Sequence, residues 1–291
     1  MSLRSAESAE LLDQLTQHRI YQDPVKRVNW LRLNLDDFWL PEEALSLYGV
    51  SEFMVLPEEQ RKALSQFEYL HLLEANIWLK GLLMERLSNS ANYSRRNIAL
   101  LKYHLNELRE EAGHSLVFAE IIQRSGLPRV ATRFHELRWF NWFARNTSLD
   151  SAAFWLTALL GQELPDRMNR LIRQHNNLVC PAIFDVATFH TVDEAQHISF
   201  SRRMVKAGIK DLSKSKTVIL RFIMQRMLNE FVAAYYYPEP GLYDFAGLVP
   251  GRSWAALARK NPHRLQFIQH QLSGVLRNLD QTGIHLTWQN K

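Results

Sequence analysis

Four apolar, helix-length stretches of this chain each carry acidic side chains that a hydrophobic core would reject, and two of them add histidine at helix-face spacing. The carriers are Glu74 in FEYLHLLEANIWLKGLL, Glu111 and His114 in LREEAGHSLVF, Glu163 in AAFWLTALLGQEL, and His190, Glu194 and His197 in FDVATFHTVDEAQHISF. An unpaired carboxylate in a core costs several kcal/mol or is forced neutral, so such groups persist there when they are paired or bind a metal ion. The pattern predicts a helix bundle built around a dinuclear iron or manganese site.

The spacing supports this. Each residue of an α-helix turns by about 100°, so His190, Glu194 and His197 fall within roughly 60° of one another, and Glu111 and His114 are likewise neighbours. Dimetal carboxylate bundles take one Glu from each of two helices and a Glu-x-x-His pair from each of the other two. Glu74, Glu111/His114, Glu163 and Glu194/His197 supply that set in the order of two helix hairpins in tandem. With 19 Glu and 11 His in 291 residues, chance gives about 0.7 Glu-x-x-His matches, so single matches carry little weight. The chain has a third match, Glu68/His71, on the helix that carries Glu74. Glu74 is preferred as the ligand because Leu72, Leu73, Ile77 and Trp78 flank it, whereas Glu68 follows the polar EEQRKALSQ; His71 is the spare candidate.

Each paired Glu is preceded by another acid, in EEAGH and DEAQH. A metal-bound His needs an acceptor for its other ring nitrogen. Glu110 and Asp193 are candidates, each for the His of the opposite pair; the alternative is that both are solvated.

These residues together resemble the p-aminobenzoate N-oxygenase family, a branch of the ferritin-like non-haem di-iron oxygenases. The distinguishing motif is His-x-x-x-Glu-x-x-His, which stands here as HTVDEAQH, with His190, Glu194 and His197. The resemblance spans about residues 60–236. It implies an all-α, ferritin-like four-helix bundle with flanking helices, whose metal ligands are Glu74, Glu111, His114, Glu163, His190, Glu194 and His197. It also implies two iron ions cycling between Fe(II) and Fe(III), O2 as co-substrate, and manganese as an alternative or mis-incorporated metal. Glu111 and Glu194 would bridge the ions and, with His190, serve the oxidation of an amine nitrogen to a hydroxylamine, nitroso or nitro product. An arylamine, an amino-acid-derived amine or a carrier-tethered amine fits this expectation, as does a natural-product pathway. The rival readings are a dimetal oxidase acting on carbon and a non-catalytic iron-binding protein.

Length and punctuation set the organisation. The 291 residues read as one domain, with a bundle over about 58–207, an N-terminal wrap over 1–57 that includes a short helix, and C-terminal helices over 212–291. The expected helices run over about 57–87, closed by the polar SNSANYS, then 95–124, 128–145, 150–177, 181–207 ending at Gly208, 212–236 and 262–279, with 235–251 as a loop. Pro165 either kinks its helix or begins a new one. Cys180 reads as a small core hydrophobe.

No uncharged apolar run reaches membrane-spanning length and the first residues lack a secretory pattern, so a soluble, cytoplasmic protein is expected, with no membrane partner. Residues 202–226 hold eight basic side chains and one acid, Asp211. That run is a solvated face or a docking patch for an acidic carrier protein. Nucleic acid is not an expected partner at a net charge of +5. An external electron donor or reductase and a homodimer complete the expected partners.

Overall fold

The apolar residues spaced three and four apart form helices throughout, and among the described residues there is no strand. The computed structural model describes residues 22–93 and 97–288. The short helix expected at the N-terminus and the expected start of the second long helix at Arg95 therefore fall partly or wholly outside the described residues.

The bundle is two helix hairpins. The first is α1 (Glu58–Tyr93) packed along α2 (Ile98–Ser125), and the second is α4 (Ala152–Gln174) packed along α5 (Pro181–Lys210). Between them α3 (Arg138–Asn146) lies against α1. The chain continues through α6 (Lys214–Tyr236), α7 (Pro240–Phe245), α8 (Gly251–Lys260) and α9 (Pro262–Asp280), with α6 and α9 both packed on α4. This is a ferritin-like all-α arrangement.

Local chemistry fixes the ends of these helices. The Asn97 side chain accepts from Leu100 N–H and the Ser151 hydroxyl from Phe154 N–H, filling donors that the first turn leaves free. Gly126, at φ 63°, closes α2 in the left-handed conformation that glycine adopts without strain. Pro181 opens α5, where its missing N–H costs nothing.

Several boundaries differ from those read from the sequence. Helix α1 continues through the Ser/Asn-rich segment to Tyr93, because Ser and Asn cost only tenths of a kcal/mol each inside a helix and no Pro or Gly interrupts. Gly208 lies inside α5 rather than ending it. A Cβ there would meet Ala152 Cβ at 3.0 Å and its backbone at 3.2 Å, so the glycine serves close approach of α5 to the start of α4. Helix α4 runs continuously across Pro165, which leaves the Gly161 carbonyl without the bond an ordinary residue would have donated. Only the last part of 128–145 is α-helical, after a 3-10 turn at Phe134–Glu136. The expected loop at 235–251 contains α7, and α8 follows it at Gly251.

The core joins the hairpins to their surroundings. Leu64, Leu73, Val117, Ile121, Leu156, Ile183 and Val186 are buried between the bundle helices, and Trp39, Phe231, Tyr235 and Tyr236 extend the core outward. No helix among the described residues is long and apolar enough to cross a membrane.

Candidate metal centre

Two stretches of matching pattern face each other inside the bundle. On α2 they are Glu107, Glu111 and His114, and on α5 His190, Glu194 and His197; in both, the spacing i, i+4, i+7 sets three side chains on one helix face. All six are buried. They form two groups with ligand atoms close enough to hold a metal ion: His114, His190 and Glu194, and Glu107, Glu111 and His197. Glu111 Oε1, Glu194 Oε2, His190 Nε2 and His197 Nδ1 are buried without a hydrogen-bond partner. Unsatisfied buried polar atoms are rare because each carries its full desolvation penalty, and a bound cation would satisfy several of these at once. The donor set, imidazole plus carboxylate, suits iron, manganese or zinc.

The expected acceptors are in place. His114 Nε2 lies 3.3 Å from Asp193 Oδ2, and His197 Nε2 lies 3.1 Å from Glu110 Oε2, so each acid serves the opposite helix. Arg27 in turn donates to Asp193 at 2.7 Å and lies 4.6 Å from the centre of the Phe189 ring. Asn169 on α4 bonds His190 Nδ1 at 2.7 Å, which leaves His190 Nε2 to face the cluster.

Of the ligands that sequence and resemblance nominated, the structure brings together Glu111, His114, His190, Glu194 and His197. Glu74 does not join them. It lies on another face of α1, partly exposed, where Arg129 donates to Glu74 Oε1 through Nε at 3.0 Å and Nη2 at 2.6 Å. Glu163 is buried but turned toward α5, where Arg202 donates to it at 2.7 Å. One residue of register separates Glu163 from Gln162, which does face the centre of the bundle, and one residue is about 100° of helix. Glu68 accepts from Ser46 N–H at 3.1 Å and from its hydroxyl, and His71 bonds the Ala234 carbonyl at 2.9 Å, so neither takes part.

Sequence reasoning missed three residues here. Glu107 repeats, one turn before Glu111, the position of His190 before Glu194, a symmetry visible in ELREEAGH beside HTVDEAQH. Lys80 was legible as a lone cation within the apolar ANIWLKGLL. Its Nζ donates to Glu111 Oε2 and, at 2.6 Å, to Glu194 Oε1, and lies 3.3 Å from His114 Nδ1. Asn169 carried no sequence signal.

Burial opposes every charge in this cluster, and the partners decide the outcome. Against that burial, Lys80 holds the Glu111 carboxyl well below its ordinary range, and Glu194 shifts the same way. The two carboxylates in turn hold Lys80 above its ordinary value despite its burial. Burial lowers His197, but Glu107 and Glu194 outweigh it and hold the imidazole well above its usual value. Burial, reinforced by Lys80 and His114, keeps His190 well below, in the neutral form that a metal requires.

A largely apolar pocket opens beside the cluster. Glu111, His190, Glu194 and Lys80 line its inner end, and Leu79, Leu83, Phe140, Phe154 and Ala158 line its walls. Gln162, held through its Oε1 by the Ser201 hydroxyl at 2.8 Å, is among its polar groups.

A ferritin-like bundle with two buried Glu/His groups that could each hold a metal ion is the architecture that dimetal-carboxylate proteins share. Residues 3–283 match the family model described as p-aminobenzoate N-oxygenase AurF, and the chain belongs to that family. It is also 21% identical over 192 residues to the uncharacterized proteins Mb0909 of Mycobacterium bovis and Rv0885 of Mycobacterium tuberculosis. Each alignment covers 64% of this chain and 55% of the relative, so the chain spans about half the length of the curated relatives it matches.

Proposed function

We propose that this protein is an iron-dependent oxidoreductase that uses O2 to oxygenate the nitrogen of a neutral amine. The observation that carries this reading is the apolar cavity that ends on His190, Glu194 and Glu111 in a chain of the N-oxygenase family. Iron bound by the Glu/His cluster would supply the activation of O2. The protein's own residues select and place the amine. Leu79, Leu83, Phe140 and Phe154 exclude water and favour an aromatic or otherwise apolar body. A cationic alkylamine would lose its hydration there and meet the Lys80 nitrogen at the inner end, whereas a neutral arylamine would do neither and keeps the lone pair that N-oxygenation consumes. The Gln162 amide nitrogen is a donor for a polar substituent on the substrate.

Protein reconstituted with iron and given an external reductant, O2 and a panel of amines tests this. Arylamines are expected to gain oxygen on nitrogen, detected by mass spectrometry with 18O2, and alkylamines of similar size to react poorly. Oxygen found on carbon, or absent from every product, would refute it. The exposed basic side chains Arg203, Lys206 and Lys214 are a surface on which an acidic carrier could present a tethered amine. Arg203→Glu with Lys206→Glu is expected to slow a carrier-bound substrate and spare a free one, and equal effects on both would remove the carrier.

A further inference from the structure

The two halves of the cluster are not equivalent. On one side Glu111 Oε1 and Glu194 Oε2 each lie 3.4 Å from His197 Nδ1, and none of these three atoms has a hydrogen-bond partner. A separation of 3.4 Å between imidazole nitrogen and carboxylate oxygen is that of two donors sharing one ion, since metal bonds to nitrogen or oxygen are roughly 2 Å long. On the other side, the second oxygen of each of the same carboxylates accepts from Lys80 Nζ, which also approaches His114. That nitrogen stands where a second ion bridged by Glu111 and Glu194 would stand. Lys80 comes from α1, one of the helices from which this architecture draws a carboxylate, and the acid that α1 offers six residues earlier, Glu74, is bound to Arg129 instead.

Formal charge gives the same answer. Four carboxylates offset two divalent ions. Counting only the side chains of the two metal groups and the lysine among them, Glu107, Glu111 and Glu194 against Lys80 leave a net charge of −2, which one divalent ion offsets.

We propose that this chain holds a single divalent metal between Glu111, Glu194 and His197, with Glu107 beside it against His197 Nε2 at 3.1 Å, and with the Lys80 nitrogen filling the second position against Glu111, Glu194 and His114. The inference rests on the metal-binding part of the function proposed above and not on the oxidation of an amine. It departs from the two irons that the family resemblance implies.

The test is metal stoichiometry. Metal-free full-length protein is incubated anaerobically with excess Mn(II), desalted, and assayed for manganese and by EPR. Wild type is expected to retain about one ion per chain, with the resolved hyperfine signal of isolated Mn(II). Lys80→Glu is expected to retain about two, with a spin-coupled signal, because it replaces the cation with the missing carboxylate. His197→Ala is expected to lose the ion and His190→Ala to keep it. Circular dichroism and unfolding temperature report whether each variant folds. Two ions, or none, in wild type would overturn the proposal. So would a folded Lys80→Glu protein and a folded Lys80→Met protein that both still held one. Should a variant fail to fold, the wild-type count and its EPR signal decide. One ion with no turnover of any amine would sink the proposed function and leave this assignment standing.

Discussion

His114 and His197 are each oriented from the opposite helix, by Asp193 and Glu110, and this crossing makes their role separable from the ligands they hold. Acceptors of this kind fix the imidazole tautomer, and their loss usually weakens metal binding by 10–100-fold. Glu110→Ala is therefore expected to lower Mn(II) affinity by about tenfold or more, measured by competition with a chelator, while the fold is kept. Unchanged affinity would make Glu110 a solvated neighbour. At His190 the expectation is a split: His190→Ala should retain most of its metal yet lose at least about tenfold in amine turnover, because the imidazole borders the cavity. Proportional loss of both would assign His190 to metal retention alone. The residue pattern displayed five of the six clustered side chains, since spacing on one helix is fixed by the helix itself. It did not place Glu74 and Glu163, because the face a lone acid presents depends on how its helix is rotated against its neighbours. Lys80 stands out in the sequence as a lone cation in an apolar stretch, but its partners do not, because within a single helix nothing shows that a lysine will meet carboxylates from two others.

Helix existence was legible from apolar periodicity, and helix ends were less so, because Gly and Pro carry more than one meaning. Gly208 reads as a stop, but it is the contact by which α5 reaches Ala152. Gly208→Val is expected to destabilise the protein by about 1–3 kcal/mol, as overpacking does, measured by urea unfolding. No change would show that α4 and α5 can separate there without cost. The α1 residue His71 gives a pH signature. Burial pushes its imidazole down to about 4, against an ordinary value of 6.5. Between those values the unfolded chain takes up a proton that the native one refuses, so stability falls as pH drops from 6.5 toward 4. The loss from this group is on the order of 3 kcal/mol at the lower limit. His71→Gln keeps a donor for the Ala234 carbonyl and is expected to flatten that slope, measured as unfolding free energy at pH 6.5 and 4.5. A slope equal to wild type would show that His71 is not the group responsible.

Across the whole molecule, the cavity depends on small side chains on α4 facing larger ones on α1 and α3. Ala158→Phe is expected to fill the cavity, cutting amine turnover by about tenfold or more while metal content stays constant. Unaltered turnover would place the substrate elsewhere. The ligand pattern has a further result at this scale. Its six side chains all come from α2 and α5, which belong to different hairpins and lie roughly eighty residues apart in the chain. An ion shared between them is a removable crosslink across a long loop. Closing a loop of that length restricts the unfolded chain by about 4.5 kcal/mol in the polymer picture used for disulfides. An ion bound there would clasp one hairpin to the other, and a chelator would then act on this protein as a reductant acts on a disulfide-bonded one.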